Sequence, residues 1–338
     1  MFRYKLYGLS INSSRPIELL QTVDESFPAD LNVKWNISTA DTPDNKFNWK
    51  TVSTELLDEL RDVYIYETVL PDAYLTKIVF KVDEVRDLNF ILDAGQKNLR
   101  IFHQPGELKS DLESYFVGPV LSFILRLRGV LCLHSSVVGI DGRAIAFAGH
   151  ATAGKSTLAA GMADAGAEIL SDDIAVLLEK NGQFYVQPGY SKVRLRPVAA
   201  DFLTDNPENL PMVYSHRQSR YISLEEERKF HSSELPLAAV YILGEISDEY
   251  KTPFIKPLEI KERLINLVKN TSGSYVVRGQ SRAAELRTLT RIAGRIPIRK
   301  LFYAHAIETL PQQCEVIIED FRKLTALSKT ASSLNQSL

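Results

Sequence analysis

The spacing of apolar and polar residues divides the chain into recognisable segments. Over Arg3–Ile11, Leu31–Ile37 and Thr76–Val82 the two kinds alternate, which predicts half-buried strands. Asn89–Leu92 and Leu99–Phe102 are two more short apolar runs. The intervening Asp93-Ala-Gly-Gln-Lys-Asn98 has turn chemistry, so this stretch predicts a hairpin. The stretch 38 to 55 is polar and predicts a loop. Residues 1–105 are thus expected to form a strand-rich N-terminal module, with its Tyr and Trp residues used for packing and no catalytic cluster of its own. An apolar stretch at Tyr115–Leu125 is too short to span a bilayer and is flanked by Glu113 and Arg126. It predicts a buried helix over Glu107–Leu127, stopped by Gly129.

Val130–Ile140 and Arg143–Ala148 are apolar runs joined by Asp141-Gly142, a strong hairpin signal. After them come a glycine-bearing loop and the Ala-rich run Thr157–Asp164, a helix with Gly166 as its stop. Ala167–Ser171 predicts a short strand ending in Asp172-Asp173. Lys192–Arg196 alternates, which puts Lys192, Arg194 and Arg196 on one face. Residues 204–236 are the most polar long segment, and a loop of that length reads as a lid, a binding segment or disorder. His216 and His231 in it read as surface histidines. Leu237–Leu243 predicts a buried strand, Ile296–Phe302 another, and helices are expected at 257–269, 281–294 and 314–328. The expected domain covers 106–329, followed by a flexible Ser-rich tail at 330–338.

The loop between strand and helix is Gly149-His150-Ala151-Thr152-Ala153-Gly154-Lys155-Ser156, with Thr157 opening the helix. It fits the phosphate-loop (Walker A) pattern without a mismatch. Glycines let the backbone turn around an anion, and successive N–H groups at a helix N-terminus then face phosphate oxygens. Lys155 is placed to follow the β- and γ-phosphates of ATP or another nucleoside triphosphate, and Ser156 to reach Mg²⁺. Strand before and helix after are the context that such a loop requires. The adjacent carboxylates Asp172 and Asp173 repel unless a cation sits near, so they read as a metal and catalytic pair, with a solvated turn as the alternative. The row Lys192, Arg194 and Arg196 can neutralise a phosphoryl group or be an ordinary solvent face.

Composition narrows the classes. The 338 residues are 45% hydrophobic and 24% charged, as in soluble globular chains, and the net charge of −2 favours neither nucleic acid nor an anionic membrane. Two cysteines, Cys132 and Cys314, give no disulfide framework and fit a cytoplasmic setting as core thiols. No N-terminal apolar run resembles a signal peptide. Whether the chain forms a homo-oligomer is open.

Leu133-His134, the hairpin, the loop Gly149–Ser156 and Leu170-Ser171-Asp172-Asp173 together resemble the HPr serine kinase family, within the PEP-carboxykinase-like superfamily. His134 precedes Ser156 by 22 positions (156 − 134), the spacing expected there. The resemblance is tight over about residues 130–180 and looser elsewhere, where it is to HprK-related kinases, some of which phosphorylate a serine at the end of a lasso-peptide precursor. It implies an α/β fold with a phosphate-loop core of antiparallel and mixed sheet behind an α+β N-terminal part. It also implies an ATP- and Mg²⁺-dependent kinase for a serine hydroxyl of a peptide or small protein. Ser156 and Asp172 would face the metal, Asp173 would accept the hydroxyl proton, and His134 would stand near the γ-phosphate. A free-serine-type kinase and a non-catalytic nucleotide-binding module stay open as alternatives. The family's bifunctional members carry a Glu-containing signature where this chain reads Gln187–Pro197, so the reverse, phosphate-consuming reaction is not expected.

Overall fold

The structure is a computed structural model that describes residues 1–24, 27–37, 48–58, 61–70, 73–81, 87–103, 109–215, 217–224, 229–247, 249–273, 279–304 and 306–335. His216 lies outside them.

The first eight strands are β1 (Phe2–Leu6), β2 (Leu9–Ser13), β3 (Leu31–Ile37), β4 (Lys50–Asp58), β5 (Arg61–Leu70), β6 (Ala73–Lys81), β7 (Asp87–Asp93) and β8 (Asn98–His103). They form one sheet in the order β1-β2-β3-β8-β7-β6-β5-β4, with β2–β3 and β3–β8 parallel and the other pairs antiparallel. The alternation over Arg3–Ile11 is therefore two strands and not one. Tyr7 and Gly8 take φ of 55° and 78°, a left-handed pair that folds the run into a hairpin without an Asn-Gly or Asp-Gly signal to announce it. The polar stretch expected as loop to residue 55 is strand from Lys50 onward, while its residues 38–47 lie outside the described ones.

The apolar helix is α1 (Lys109–Tyr115) and α2 (Leu121–Leu127), separated by one π turn at Phe116–Val120. Pro119 has no N–H to give the ladder, Gly118 leaves helical geometry, and the Leu121 N–H reaches back to Phe116 O. The helix packs into one hydrophobic cluster with Ile11, Phe90 and Ile101 of the first sheet, and the same cluster takes in Ile174, Tyr190, Tyr214 and Tyr221.

A second, nine-stranded sheet follows: β9 (Leu131–Leu133), β10 (Ser135–Ile140), β11 (Arg143–Ala148), β12 (Glu168–Ser171), β13 (Ala175–Lys180), β14 (Gln183–Gln187), β17 (Leu235–Ile246), β18 (Phe254–Pro257) and β19 (Ile298–Tyr303). β15 (Lys192–Leu195) and β16 (Arg220–Ser223) form a separate antiparallel pair. The order is β12-β10-β11-β17-β14-β13-β9, with β19 beside β17 and β18 beside β19. The run expected as one strand over Val130–Ile140 breaks at His134: β9 pairs with β13, whereas β10 pairs with β11 and β12. Asp141 and Gly142, at φ of 50° and 69°, make the expected hairpin turn, so the strand entering the phosphate loop is antiparallel to its sequence neighbour and parallel to β17.

Helices cover both faces of this sheet. α3 (Lys155–Asp164), α4 (Pro197–Leu203) and α7 (Leu310–Asn335) pack with Phe147, Tyr241 and Leu301. α5 (Ile260–Lys269) and α6 (Gly279–Arg295) pack with Val240, Ile242 and Ile298. The fold is mixed α/β with antiparallel and mixed sheets, as expected. Segment 204–236 is less irregular than expected, holding a 3₁₀ turn at Pro207–Asn209 and strand β16. The expected tail from Thr330 continues α7 as far as Asn335. Both cysteines are buried thiols, and burial raises each to a pKa of about 12. No helix among the described residues is long and apolar enough to cross a membrane.

Candidate active site

The phosphate loop leaves the end of β11 and passes directly into α3. Thr152 and Gly154 take φ of 73° and 85°, and Gly154 is the residue before the helix. Around Gly149 the packing is tight: an added Cβ would stand 3.2 Å from both Ala153 Cβ and Leu243 Cβ. The Tyr303 hydroxyl donates to Ala153 O at 2.5 Å, tying the loop to β19. His150 Nδ1 lies 2.5 Å from Ala151 O. The Lys155 ammonium donates to Gly149 O and His150 O, each at 2.9 Å, and is folded over its own loop, 7% exposed.

One cavity of about 210 Å³ gathers most of the expected residues. His134, Ala151, Thr152, Gly154, Lys155, Ser156, Thr157, Asp173, Arg194 and Arg196 line it. Lys192, although on the same alternating strand, is not part of its wall. Neither is Asp172. That carboxylate is 1% exposed, and it accepts the Ser136 hydroxyl at 2.5 Å on Oδ1 and the Arg194 backbone N–H at 2.9 Å on Oδ2. Asp172 therefore clamps β10 to β15 behind the cavity, while Asp173 faces it.

Asp173 has φ of 72°, a left-handed conformation that costs a non-glycine residue about 1–3 kcal/mol and that recurs at functional sites. The turn aims its carboxylate at two partners. Arg194 Nη1 is 3.1 Å from Oδ2, and His134 Nδ1 is 3.4 Å from Oδ1 and 3.0 Å from the Asp173 carbonyl oxygen. Burial by itself would raise the carboxyl's pKa. The positive charges of Arg194, Lys155 and Arg217, joined by His134 when that ring is protonated at low pH, outweigh burial and hold it below the usual aspartate value, so Asp173 is a carboxylate at neutral pH. His134 moves the other way: burial lowers it below the usual histidine value, against the pull of Asp173. Both oxygens near Nδ1 are acceptors, so Nδ1 carries the hydrogen and Nε2 of the neutral ring is left as an acceptor. The backbone N–H of His134 donates to Asn270 O at 2.7 Å, which fixes the residue where the chain switches strands.

Arg194 sits among tyrosines. Its Nε donates to the Tyr190 hydroxyl at 3.0 Å, Nη1 is 3.4 Å from the Tyr214 hydroxyl, and the guanidinium lies 5.8 Å from the ring centres of Tyr214 and Tyr221. Sequence reasoning missed this enclosure, together with Val213, Tyr214, Arg217 and Ser219, which bring the polar segment into the cavity wall. Arg217 lies 5.7 Å from the Tyr214 ring centre. It missed Ser136 as well. The only available signal was the mixture of Arg and Tyr within that segment, which has no spacing rule attached. His231 pairs with Glu168 at 2.9 Å, away from the cavity, as expected of a surface histidine.

Loop backbone, Lys155 and Ser156 fit a nucleoside triphosphate. For Mg²⁺, the hydroxyl of Ser156 and the carboxylate of Asp173 share one cavity, a donor set suited to an ion that keeps waters and takes its other ligands from phosphate. Asp172, buried and outside the cavity wall, is not part of that donor set.

No protein-family model matches the chain, and no curated protein matches it. Among solved structures, the Hpr(Ser) kinase/phosphatase from Coxiella burnetii is similar at 12% identity with a TM-score of 0.33, over 57% of this chain and 98% of that one. A TM-score at that level carries no weight for function.

Proposed function

We propose that this chain is an ATP- and Mg²⁺-dependent kinase that transfers the γ-phosphoryl group to a serine hydroxyl of a peptide or small protein. The observation that supports it is one cavity holding a phosphate loop with its lysine, an ionised aspartate and the guanidinium paired with it. A phosphate loop alone would serve any nucleotide-binding module. A carboxylate held ionised opposite it is what a hydroxyl acceptor requires.

In the proposed reaction the acceptor oxygen bonds to the γ-phosphorus as the bond to the bridging β,γ-oxygen breaks. The hydroxyl proton passes to Asp173, and the nucleoside diphosphate leaves. Lys155 exchanges its two carbonyl partners for phosphate oxygens. Mg²⁺, when bound, would neutralise developing charge on the phosphates. Ser156 and Asp173 are the side chains placed to hold it, and Asp172 keeps β10 and β15 in register behind the site. His134 presents Nε2 as an acceptor beside the transferring group. Arg194 holds Asp173 in place, and Arg196, exposed in the cavity wall, is the guanidinium proposed to meet the acceptor. A serine at a peptide C-terminus, as in a lasso-peptide precursor, offers a carboxylate next to its hydroxyl, and a guanidinium matches a carboxylate's geometry.

The test is incubation of purified protein with γ-labelled ATP, Mg²⁺ and a panel of serine-ended peptides and free serine. Label on a peptide serine, lost in Lys155→Ala, supports the reading. Label on free serine alone would replace the peptide acceptor with a small molecule. MgATP binding without transfer to any acceptor or to water would leave a binding module.

A further inference from the structure

The first sheet and its helix carry none of the phosphate-gripping residues, yet they reach the catalytic carboxylate's partner. At the π turn between α1 and α2, a Cβ built on Gly118 would stand 3.1 Å from Arg194 Nη2 and 3.5 Å from Asp173 Oδ2. The first distance is inside ordinary contact, about 3.5–4.0 Å between carbons. Phe116, Val117 and Val120 on either side are fully buried in the cluster shared with the first sheet, so this backbone has little room to retreat. The β1–β2 turn braces the same wall: the Tyr7 N–H donates to Pro188 O at 3.0 Å, two residues ahead of the Tyr190 that holds Arg194 Nε.

The guanidinium is anchored unevenly. Nε and Nη1 have oxygen partners, whereas Nη2 is buried and makes no hydrogen bond among the described residues. Nη2 is also the nitrogen that faces Gly118. Nothing polar holds that corner of the plane, so its position is set by shape. A methyl group at residue 118 would push Nη2 away, and because the guanidinium is rigid and planar the push swings Nη1 off Asp173.

We infer that Gly118 is a positioning residue of the phosphoryl-transfer site: the bare α-carbon at the π turn leaves the room in which Arg194 sits on Asp173. This rests on the kinase reading for what the site does, but the packing relation stands without it. The first sheet, through its helix, then belongs to the catalytic centre and is not a separable appendage.

The experiment is a double-mutant cycle on the full chain with Gly118→Ala, Arg194→Ala and the pair. Thermal unfolding and the Arg194 Nε–H resonance, assigned by its loss in Arg194→Ala, are read first, neither requiring an acceptor. Expected are a lowered Tm and a displaced Arg194 resonance in Gly118→Ala, and a Gly118→Ala penalty that vanishes in the Arg194→Ala background. MgATP affinity by calorimetry should stay within about twofold, and kcat for phosphate release from ATP should fall about tenfold with KM for ATP unchanged. If Gly118→Ala alone does not fold, recovery of folding in the double variant supports the same conclusion. An unmoved Arg194 resonance overturns the inference, as does an equal penalty in both backgrounds. Loss of MgATP binding in Lys155→Ala is a separate measurement, so failure of the kinase reading would be seen independently.

Discussion

Asp172 and Asp173 are neighbours in sequence and face opposite ways: Asp172 gives both its oxygens to Ser136 and the Arg194 backbone, while Asp173 turns through a φ of 72° to meet the Arg194 side chain. Two chemically identical residues are therefore expected to fail differently. Asp173→Asn removes the proton acceptor and should lower kcat by about a hundredfold or more, with a lowered Tm because Arg194 loses the opposing charge. Asp172→Asn removes the buried charge that both hydrogen bonds rely on and leaves a single acceptor, for the Arg194 N–H, with Ser136 turned to accept from the new amide; it should cost about 1–3 kcal/mol of stability. Thermal melts beside Mg²⁺ titrations of both variants separate the roles. A raised Mg²⁺ requirement in Asp172→Asn at unchanged Tm would restore a direct metal role for Asp172.

Lys155→Ala should abolish transfer. The loop loses the cation that follows the β/γ-phosphates, a loss comparable to removing an oxyanion donor, about a hundredfold or more. Lys155 bonds to two carbonyls of its own loop, so circular dichroism should report an intact fold. Near wild-type phosphorylation by this variant would end the phosphate-loop assignment.

The acid limb of the rate profile should lie low. Asp173 titrates below its unfolded value of about 3.9. Its ionised form therefore contributes stability above that value, and the contribution is lost as pH falls through the lower folded value. Replacing Arg194 with Gln removes the largest opposing charge, so the carboxyl should rise and the acid limb of kcat/KM should move to higher pH. The check is a pH series on both proteins with the same acceptor. An acid limb that stays in place would mean another group controls it.

Acceptor binding should depend on Arg196. Arg194 is committed to Asp173 and the tyrosines, whereas Arg196 is exposed at the cavity wall just ahead of α4. Arg196→Ala, or amidation of a peptide acceptor's C-terminus, is expected to raise KM for the acceptor about tenfold and leave KM for ATP unchanged. Equal turnover of amidated and free-acid peptide would rule out the carboxylate dock.

Much of this site was legible in the chain because its spacing is local. The phosphate loop, the Asp141-Gly142 turn and the Arg194/Arg196 alternation are short-range patterns with direct backbone consequences. Misreadings came where local pattern is degenerate. A hairpin through Tyr7-Gly8 and a strand both alternate, and an apolar run cannot show that His134 ends one strand pairing and begins another. Ser136 on Asp172, Tyr190 on Arg194 and Gly118 against both sides of the ion pair depend on tertiary approach, for which single-chain spacing has no signal. The opposed directions of Asp172 and Asp173 came from a backbone dihedral, which residue type alone does not announce.

The strands β10, β11 and β12 are consecutive in the chain and adjacent in the sheet, with the phosphate loop and α3 threaded between the last two. The β10–β11 and β10–β12 pairings beside the anion cradle are thus short-range in sequence, whereas Arg194, Tyr214 and Gly118 arrive from distant segments. Short loops close at small entropic cost and early in folding, while long-range pairings wait for the rest of the chain. The order of assembly that follows is a nucleotide-gripping half formed first and a proton-accepting half completed last. The phosphate loop would then be in place before the guanidinium and the tyrosines that complete the cavity wall.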